Sequence, residues 1–262
     1  MTQRILVTGG TGTLGRDLVE RLVATDAVVR VLSRRGEPAA GADAPTWAGS
    51  VEWARGDLST GEGIAGAVGG DVDVVVHCAT TQGKKDVDAT RTLIEALSTW
   101  PDTHLIYISI VGVDRVPFFY YNAKLEAERL IETSGLPFTI LRATQFHALL
   151  HTLFSAQRWS PVVCVPSRTE FQPIDTSDVA ARLVELTAAP AAGRVADIGG
   201  PEVRSVSDLA RSYLAATGRR RAVLPVRIPG GTGAGYRSGG HNTPENTYGT
   251  VTFEDFLAAH TP

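Results

Sequence analysis

Residues 4–15 read RILVTGGTGTLG. A short apolar run from Arg4 to Thr8 ends in a glycine turn. The turn opens into a stretch from Thr13 to Thr25 whose apolar positions Leu14, Leu18, Leu22 and Val23 recur at helical spacing. The order is strand, turn, helix, and the glycines fall as Gly9-x-x-Gly12-x-x-Gly15. In that context the spacing has a chemical meaning that it lacks alone. Glycines permit a tight turn and let a pyrophosphate reach the main chain. The helix beyond offers free N–H groups and the positive end of its dipole. Gly9, Thr11, Gly12, Thr13, Leu14 and Gly15 are therefore expected to line a dinucleotide cofactor.

Outward from this turn, the first half of the chain repeats the alternation. Ala27 to Leu32 (AVVRVL), Val51 to Arg55, Val72 to His77 (VDVVVH), His104 to Ser109 (HLIYIS) and Phe138 to Arg142 (FTILR) read as strands. Helices are expected over Asp86 to Thr99 and Tyr120 to Ser134, the second ended by Gly135 and Pro137. Near-continuous apolar strands belong to a parallel sheet covered on both faces. With right-handed crossovers this is an α/β, doubly wound fold.

The second half is less regular. Helices are expected over Gln145–Arg158, Thr176–Thr187, from Ser205 or Ser207 to Thr217, and over Phe253–Ala259. Pro161 to Pro173 reads as strand and loop, Val195–Ile198 as a strand returning to the main sheet, and Val223–Ile228 as a further strand. Gly230 to Gly240 reads as a mobile loop. Residues 1–144 are expected to form the dinucleotide-binding core. Residues 145–262 are expected to form a small C-terminal substrate cap interwoven with it.

Composition limits the function. The 262 residues are 43% hydrophobic and 20% charged, enough apolar surface to fold rather than stay disordered. A net charge of -3 gives no reason to expect a nucleic acid or an anionic membrane as partner. No apolar run is long enough to span a bilayer. The start, MTQRILVTGG, has no secretory h-region, and Cys78 and Cys164 make no paired motif. A cytoplasmic protein, monomer or homodimer, acting on a small molecule is expected.

The end of the second strand decides the nucleotide. A ribose 2′-hydroxyl is usually held there by an acidic residue. This chain has Ser33, Arg34 and Arg35 instead. An arginine pair suits a 2′-phosphate, so NADP(H) is preferred over NAD(H); the plainer alternative is two solvated arginines. Asp57 and Leu58 follow the third strand and could meet adenine, or Asp57 could cap the next helix. Cys78, Ala79 and Thr80 follow the fourth, where ligands of open α/β sheets bind. Tyr120 and Lys124 lie four apart on an expected helix, on one face. An ammonium beside a phenol favours the phenolate, so Tyr120 can exchange a proton during hydride transfer. Lys124 could also hold the nicotinamide ribose.

These residues together resemble the short-chain dehydrogenase/reductase superfamily. The stretches TGGTGTLG, YISIVGVD, YYNAKLEAERLIETSGLPFTILRATQFH and FQPIDTSDVA look like its atypical, NmrA-like and NAD(P)H-binding oxidoreductase branch. The resemblance runs from Arg4 to Gly200 and implies a Rossmann core, a C-terminal substrate cap and a nicotinamide cofactor. One departure matters. The superfamily's strand serine falls at Ile110, and Ser109 beside it points to the other face.

Gln145, Phe146 and His147 follow the sixth strand at its carboxyl end and, with Phe171, are expected to face substrate; packing is the alternative for His147. His147 and His151 are spaced i, i+4, but Ala148 stands where a zinc protease has glutamate, so no metal is expected. The expected activity is hydride transfer between NADPH and a small apolar or aromatic carbonyl, quinone or enone. Two alternatives stay open: a non-catalytic NADP(H) sensor that regulates a partner, and a cofactor-retaining isomerase or cyclase.

Overall fold

A computed structural model of the chain describes residues 2–39, 44–81 and 83–261. In chain order the elements are β1 (Arg4–Thr8), α1 (Thr13–Val23), β2 (Val28–Ser33), β3 (Glu52–Arg55), α2 (Ile64–Ala67), β4 (Val74–His77), α3 (Lys85–Leu97), β5 (His104–Ile110), α4 (Phe119–Glu132), β6 (Phe138–Ala143), α5 (His147–Ser155), β7 (Val162–Pro166), β8 (Glu170–Phe171), α6 (Thr176–Thr187), β9 (Gly193–Arg194), β10 (Arg204–Ser205), α7 (Val206–Ala216), β11 (Ala222–Val226), α8 (Gly230–Arg237) and α9 (Phe253–His260).

Seven strands form one sheet in the order β3-β2-β1-β4-β5-β6-β9. Ile5 of β1 pairs in parallel with Val29 of β2 and with Val74 of β4. The sequence direction of the sheet therefore reverses beside β1. Ligands of doubly wound sheets bind beyond the strand ends at such a switch point. Glycines 9 to 15 leave β1 there, and Cys78–Thr80 leave β4.

The chain divides into two compact units. The first comprises Met1–Ser109, Ala123–Leu141 and Ala180–Val195; the second comprises Ile110–Asn122, Arg142–Val179 and Ala196–Pro262. In the first, the strand residues Leu6, Val75, Leu105 and Ile140 pack with Leu93 and Leu97 of α3 and with Ala127 and Ile131 of α4. The helical spacing of these apolar positions is what lets each helix cover the sheet. The second unit has its own core, in which Leu150 and Phe154 of α5 meet Val163 and Val165 of β7, Leu209 and Tyr213 of α7, and Phe253 and Leu257 of α9.

Three local expectations change. The segment read as a mobile glycine-rich loop carries α8. Its glycines serve close packing: a Cβ at Gly233 would lie 2.0 Å from the Ile228 carbonyl oxygen, and one at Gly235 would lie 3.0 Å from Val116 Cα. The expected return to the sheet at Val195–Ile198 comes two residues earlier as β9, with Ile198 making a single bridge to Ala143. Gln145 and Phe146 are extended rather than helical, because Ile174 N donates to the Gln145 carbonyl and His147 N donates to that of Ile174.

Candidate cofactor and substrate sites

The glycine turn shows why each glycine is there. Gly9 has a φ of +73°, and a Cβ on it would stand 2.6 Å from Ala79 N. A Cβ on Gly15 would stand 2.1 Å from the Gly9 carbonyl oxygen. At both places backbone passes backbone, and no larger residue fits. Gly12 differs. It is exposed, and a Cβ there would meet only the Gly9 carbonyl oxygen, at 3.2 Å. Packing therefore constrains position 12 less than positions 9 and 15, since only the Gly9 carbonyl would have to give, and close approach by a ligand is the further reason for glycine there. Gly12 is also the N-cap of α1; it has no side-chain cap, and the first turn holds no acidic residue. Uncapped N–H groups at a helix N-terminus, with bare backbone before them, fit a dinucleotide pyrophosphate. Thr11 and Thr13 flank it, exposed, while Leu14 and Gly15 are buried.

Arg34 and Arg35 are exposed just beyond β2, where Arg35 N donates to Ser33 Oγ at 3.3 Å. Asp57 accepts from Ser59 Oγ at 2.7 Å and from Ser59 N at 2.8 Å. Those bonds, helped by the nearby positive charge of Arg34, hold its carboxyl below the usual carboxylate range. Leu58 is buried in the first unit's core. Beyond β4, Cys78 N donates to the Thr8 carbonyl and Ala79 N to Thr8 Oγ1, which fixes these residues against the end of β1. Burial pushes the Cys78 thiol up to about 12, so it is not a thiolate nucleophile. Thr80 Oγ1 donates to Asp86 at 2.5 Å.

Lys124 is buried. Its Nζ donates to the Ile108 carbonyl at 3.1 Å and stands 4.6 Å from the centre of the Tyr107 ring. Burial lowers its pKa, opposed first by the charge of Asp86 and also by that of Glu128. His77 lies in the same region, held by Thr8 Oγ1 at 2.7 Å and Thr90 Oγ1 at 3.3 Å. Burial, with the charge of Lys124, lowers the pKa of His77 to about 3, so the ring is neutral. Tyr120, half-buried, precedes Lys124 by one turn of α4. Ser109 is buried with its Oγ unpaired among the described residues, and Ile110 is half-buried.

In the second unit the expected substrate residues separate. Gln145 is buried, and its Nε2 donates to Tyr121 Oη at 3.2 Å and to the His241 carbonyl at 3.3 Å. Phe171 meets His241 edge-on, with ring centres 5.0 Å apart, and also meets Tyr236. Phe146 is half-buried as the N-cap of α5. His147 instead sits beside Phe253 and Phe256, its Nε2 bonded to the Val251 carbonyl, and burial lowers its pKa.

Tyr121, Tyr236 and His241 join Gln145 and Phe171 without having been singled out in the sequence. Burial, then the neighbouring Tyr236, raises the Tyr121 pKa well above its ordinary value. His241 is lowered to about 4 by burial, and its Nε2 donates to the Glu170 carbonyl. Its Nδ1 and Gln145 Oε1 are buried acceptors without a partner among the described residues. The doubled tyrosine at 120–121 was a signal that could have been weighed; the glycine-rich run around Tyr236 and His241 offered none.

This geometry agrees with sequence comparison. The profile of the NAD(P)H-binding family matches residues 9–190. The chain belongs to that family. Among curated relatives, the photosystem II assembly factor Ycf39 of Cyanophora paradoxa is 30% identical over 152 residues, 54% of this chain and 45% of that protein. An uncharacterized protein of Mycobacterium tuberculosis is 26% identical over 142 residues, 53% of this chain and 14% of that protein. The chain spans less than half the length of either relative.

Among solved structures, the NADPH-dependent quinone oxidoreductase QOR2 of Escherichia coli, complexed with NADPH, superposes with a TM-score of 0.80 at 18% identity, covering 98% of this chain and 99% of that one. A nucleoside-diphosphate-sugar epimerase of Staphylococcus aureus gives 0.79 at 21% identity, covering 97% and 99%. At these identities the likeness is one of fold, the Rossmann-type doubly wound sheet. No helix among the described residues is long and apolar enough to cross a membrane.

Proposed function

We propose that this member of the NAD(P)H-binding family is an NADP(H)-dependent oxidoreductase acting on a small apolar or aromatic carbonyl, quinone or enone. The observation that carries the cofactor choice is the exposed Arg34–Arg35 pair just beyond β2, where Ser33, Arg34 and Arg35 follow the strand in place of the acidic residue that usually receives a ribose 2′-hydroxyl. When bound, NADPH would supply a hydride to the acceptor. The bare backbone of Gly9 and Gly12 and the uncapped start of α1 hold the pyrophosphate. Arg34 and Arg35 take the 2′-phosphate, with Asp57 beside Arg34.

Lys124 orients the nicotinamide ribose. Its ammonium, one helical turn from Tyr120, favours the phenolate. Tyr120 thereby donates a proton to the acceptor oxygen as that oxygen gains charge. Gln145 and Phe171 present an amide and a ring to an aromatic acceptor, while His147 packs away from them beside Phe253 and Phe256. The likeness to a quinone oxidoreductase in fold supports this substrate class.

Ile110 at the superfamily's serine position favours a second reading, a sensor that binds NADP(H) without turnover. One assay separates the two. NADPH absorbance is followed with a panel of quinones, enones, ketones and imines, with wild type beside Tyr120→Phe. Acceptor-dependent oxidation by wild type, slowed in the variant at unchanged NADPH affinity, is expected. Binding of NADPH without oxidation across the panel would turn the reading toward the sensor, and unchanged turnover in the variant would remove Tyr120 from the mechanism.

A further inference from the structure

A cavity of 320 Å³ lies wholly within the second unit, among the turn that leads into β8, the first turn of α7 and the end of α8. Its wall is polar. Arg168, Arg237, Glu170, Ser205, Ser207 and Tyr236 line it, with the Ser205 hydroxyl taken up by Asp208 and that of Tyr236 by Tyr121. Its two arginines and its carboxylate set this cavity apart from the aromatic surroundings of Phe171, which it adjoins through Tyr236.

The wall is held in place. The Nη1 of Arg237 donates to the Ile228 carbonyl at 2.9 Å, which fixes the plane of the guanidinium and leaves its other N–H groups available. The Glu170 carbonyl receives His241 Nε2 at 2.9 Å and Asn242 Nδ2 at 3.0 Å, both from buried side chains. Arg168 has a φ of 54°, the single positive φ on a non-glycine among the described residues. Side chains adopt that region only when their surroundings impose it, and such residues cluster at ligand sites. Here Val206 N donates to the Thr169 carbonyl and Ser167 N to that of Val226, pinning the turn on both sides of Arg168. Asp208, the acid in the first turn of α7, is engaged by Ser205 and Arg211.

Planar guanidinium groups pair with carboxylate and phosphate oxygens through two parallel bonds. The volume exceeds that of a bare anion and suits a small organic molecule. We propose that this cavity binds a small hydroxylated organic anion, a phosphate monoester or a carboxylate, with Arg168 and Arg237 on its charged group and Ser207 and Glu170 on its hydroxyls. The proposal does not rest on the nucleotide-binding reading, because the glycine turn and Arg34 belong to the other unit.

Calorimetric titrations with glucose 6-phosphate, citrate and uncharged glucose test it, each run with and without saturating NADP+, on wild type, Arg168→Gln and Arg237→Gln. At least one anion should bind wild type under both conditions, with glucose at least tenfold weaker, and the tighter anion assigns the head group. Each substitution should weaken that anion roughly tenfold or more, the loss expected for a hydrogen-bonded charge pair. Arg168 is exposed, so Arg168→Gln retains its fold and carries the test if Arg237→Gln melts early. Absence of binding by both anions, equal binding of glucose, or wild-type affinity in Arg168→Gln overturns the proposal. Failure of NADP+ to bind, with anion binding intact, counts against the oxidoreductase reading alone.

Discussion

Replacing Arg34 by alanine should separate the two nicotinamide dinucleotides. Arg34 is exposed and forms no hydrogen bond or ion pair among the described residues; its charge helps hold the Asp57 carboxyl low. Its removal therefore leaves the fold almost untouched, within about 0.5 kcal/mol for a surface change of this kind. In the complex it would lose its bonds to the 2′-phosphate. Hydrogen bonds to a charged group contribute about 1.5–3 kcal/mol. Exposure and salt screening place an arginine at the surface in the lower half of that range, about 1.5–2 kcal/mol. At about 1.4 kcal/mol per decade, NADPH should bind roughly ten- to thirtyfold more weakly. NADH carries no 2′-phosphate, so its affinity should change by less than about twofold, and the salt dependence of NADPH binding should fall by about one phosphate contact. Calorimetry of both dinucleotides at two ionic strengths reads all of this. Equal losses for NADPH and NADH, or no loss for either, would refute the assignment of Arg34 to a phosphate.

Two glycines of one turn should respond in opposite ways. Gly15→Ala forces a Cβ to within 2.1 Å of a carbonyl oxygen and should lower stability by about 1–3 kcal/mol or more in thermal melts. Gly12→Ala should lose much less stability than Gly15→Ala, because its methyl group stands 3.2 Å from a carbonyl oxygen that can give slightly, yet bind dinucleotide at least roughly tenfold more weakly; a variant that loses as much stability as Gly15→Ala but keeps affinity contradicts this. His77 should make stability depend on pH. Its folded pKa of about 3 lies below the unfolded value, so the unfolded chain binds the extra proton. The contribution is complete above pH 6.5 and declines as pH falls toward 3, by about 2 kcal/mol between pH 6.5 and 5. Denaturant melts of His77→Asn should show a slope shallower by that amount over the same window; parallel slopes would mean that His77 is not neutral in the fold.

Six of the seven strands of the sheet could be read from sequence because each is a local signal; β9, two residues long, is not. VDVVVH, HLIYIS and FTILR are apolar on both faces, and glycine, proline and helical spacing mark where each ends. The helix expected over Thr176–Thr187 is α6. The glycine turn was legible for the same reason, since strand, turn and helix follow one another within twenty residues. The cluster of Tyr121, Gln145, Phe171, Tyr236 and His241 was not. Its members come from four separated segments, and no local pattern encodes that they meet. Segment 230–240 was misread for a different reason. Glycine there looked like freedom, whereas at Gly233 and Gly235 the missing Cβ lets α8 lie directly on other backbone. Sequence shows that a side chain is absent, not what fills its place.

The chain passes from one compact unit to the other after Ser109, Asn122, Leu141, Val179 and Val195. Two of these points fall inside helices, α4 and α6. Neither unit is thus a contiguous piece of gene. No single truncation removes one and leaves the other whole, and no single crossover between related genes can exchange one unit while keeping the other intact. New specificity in such an architecture has to accumulate by point substitution and by changes in loop length, with both units inherited together.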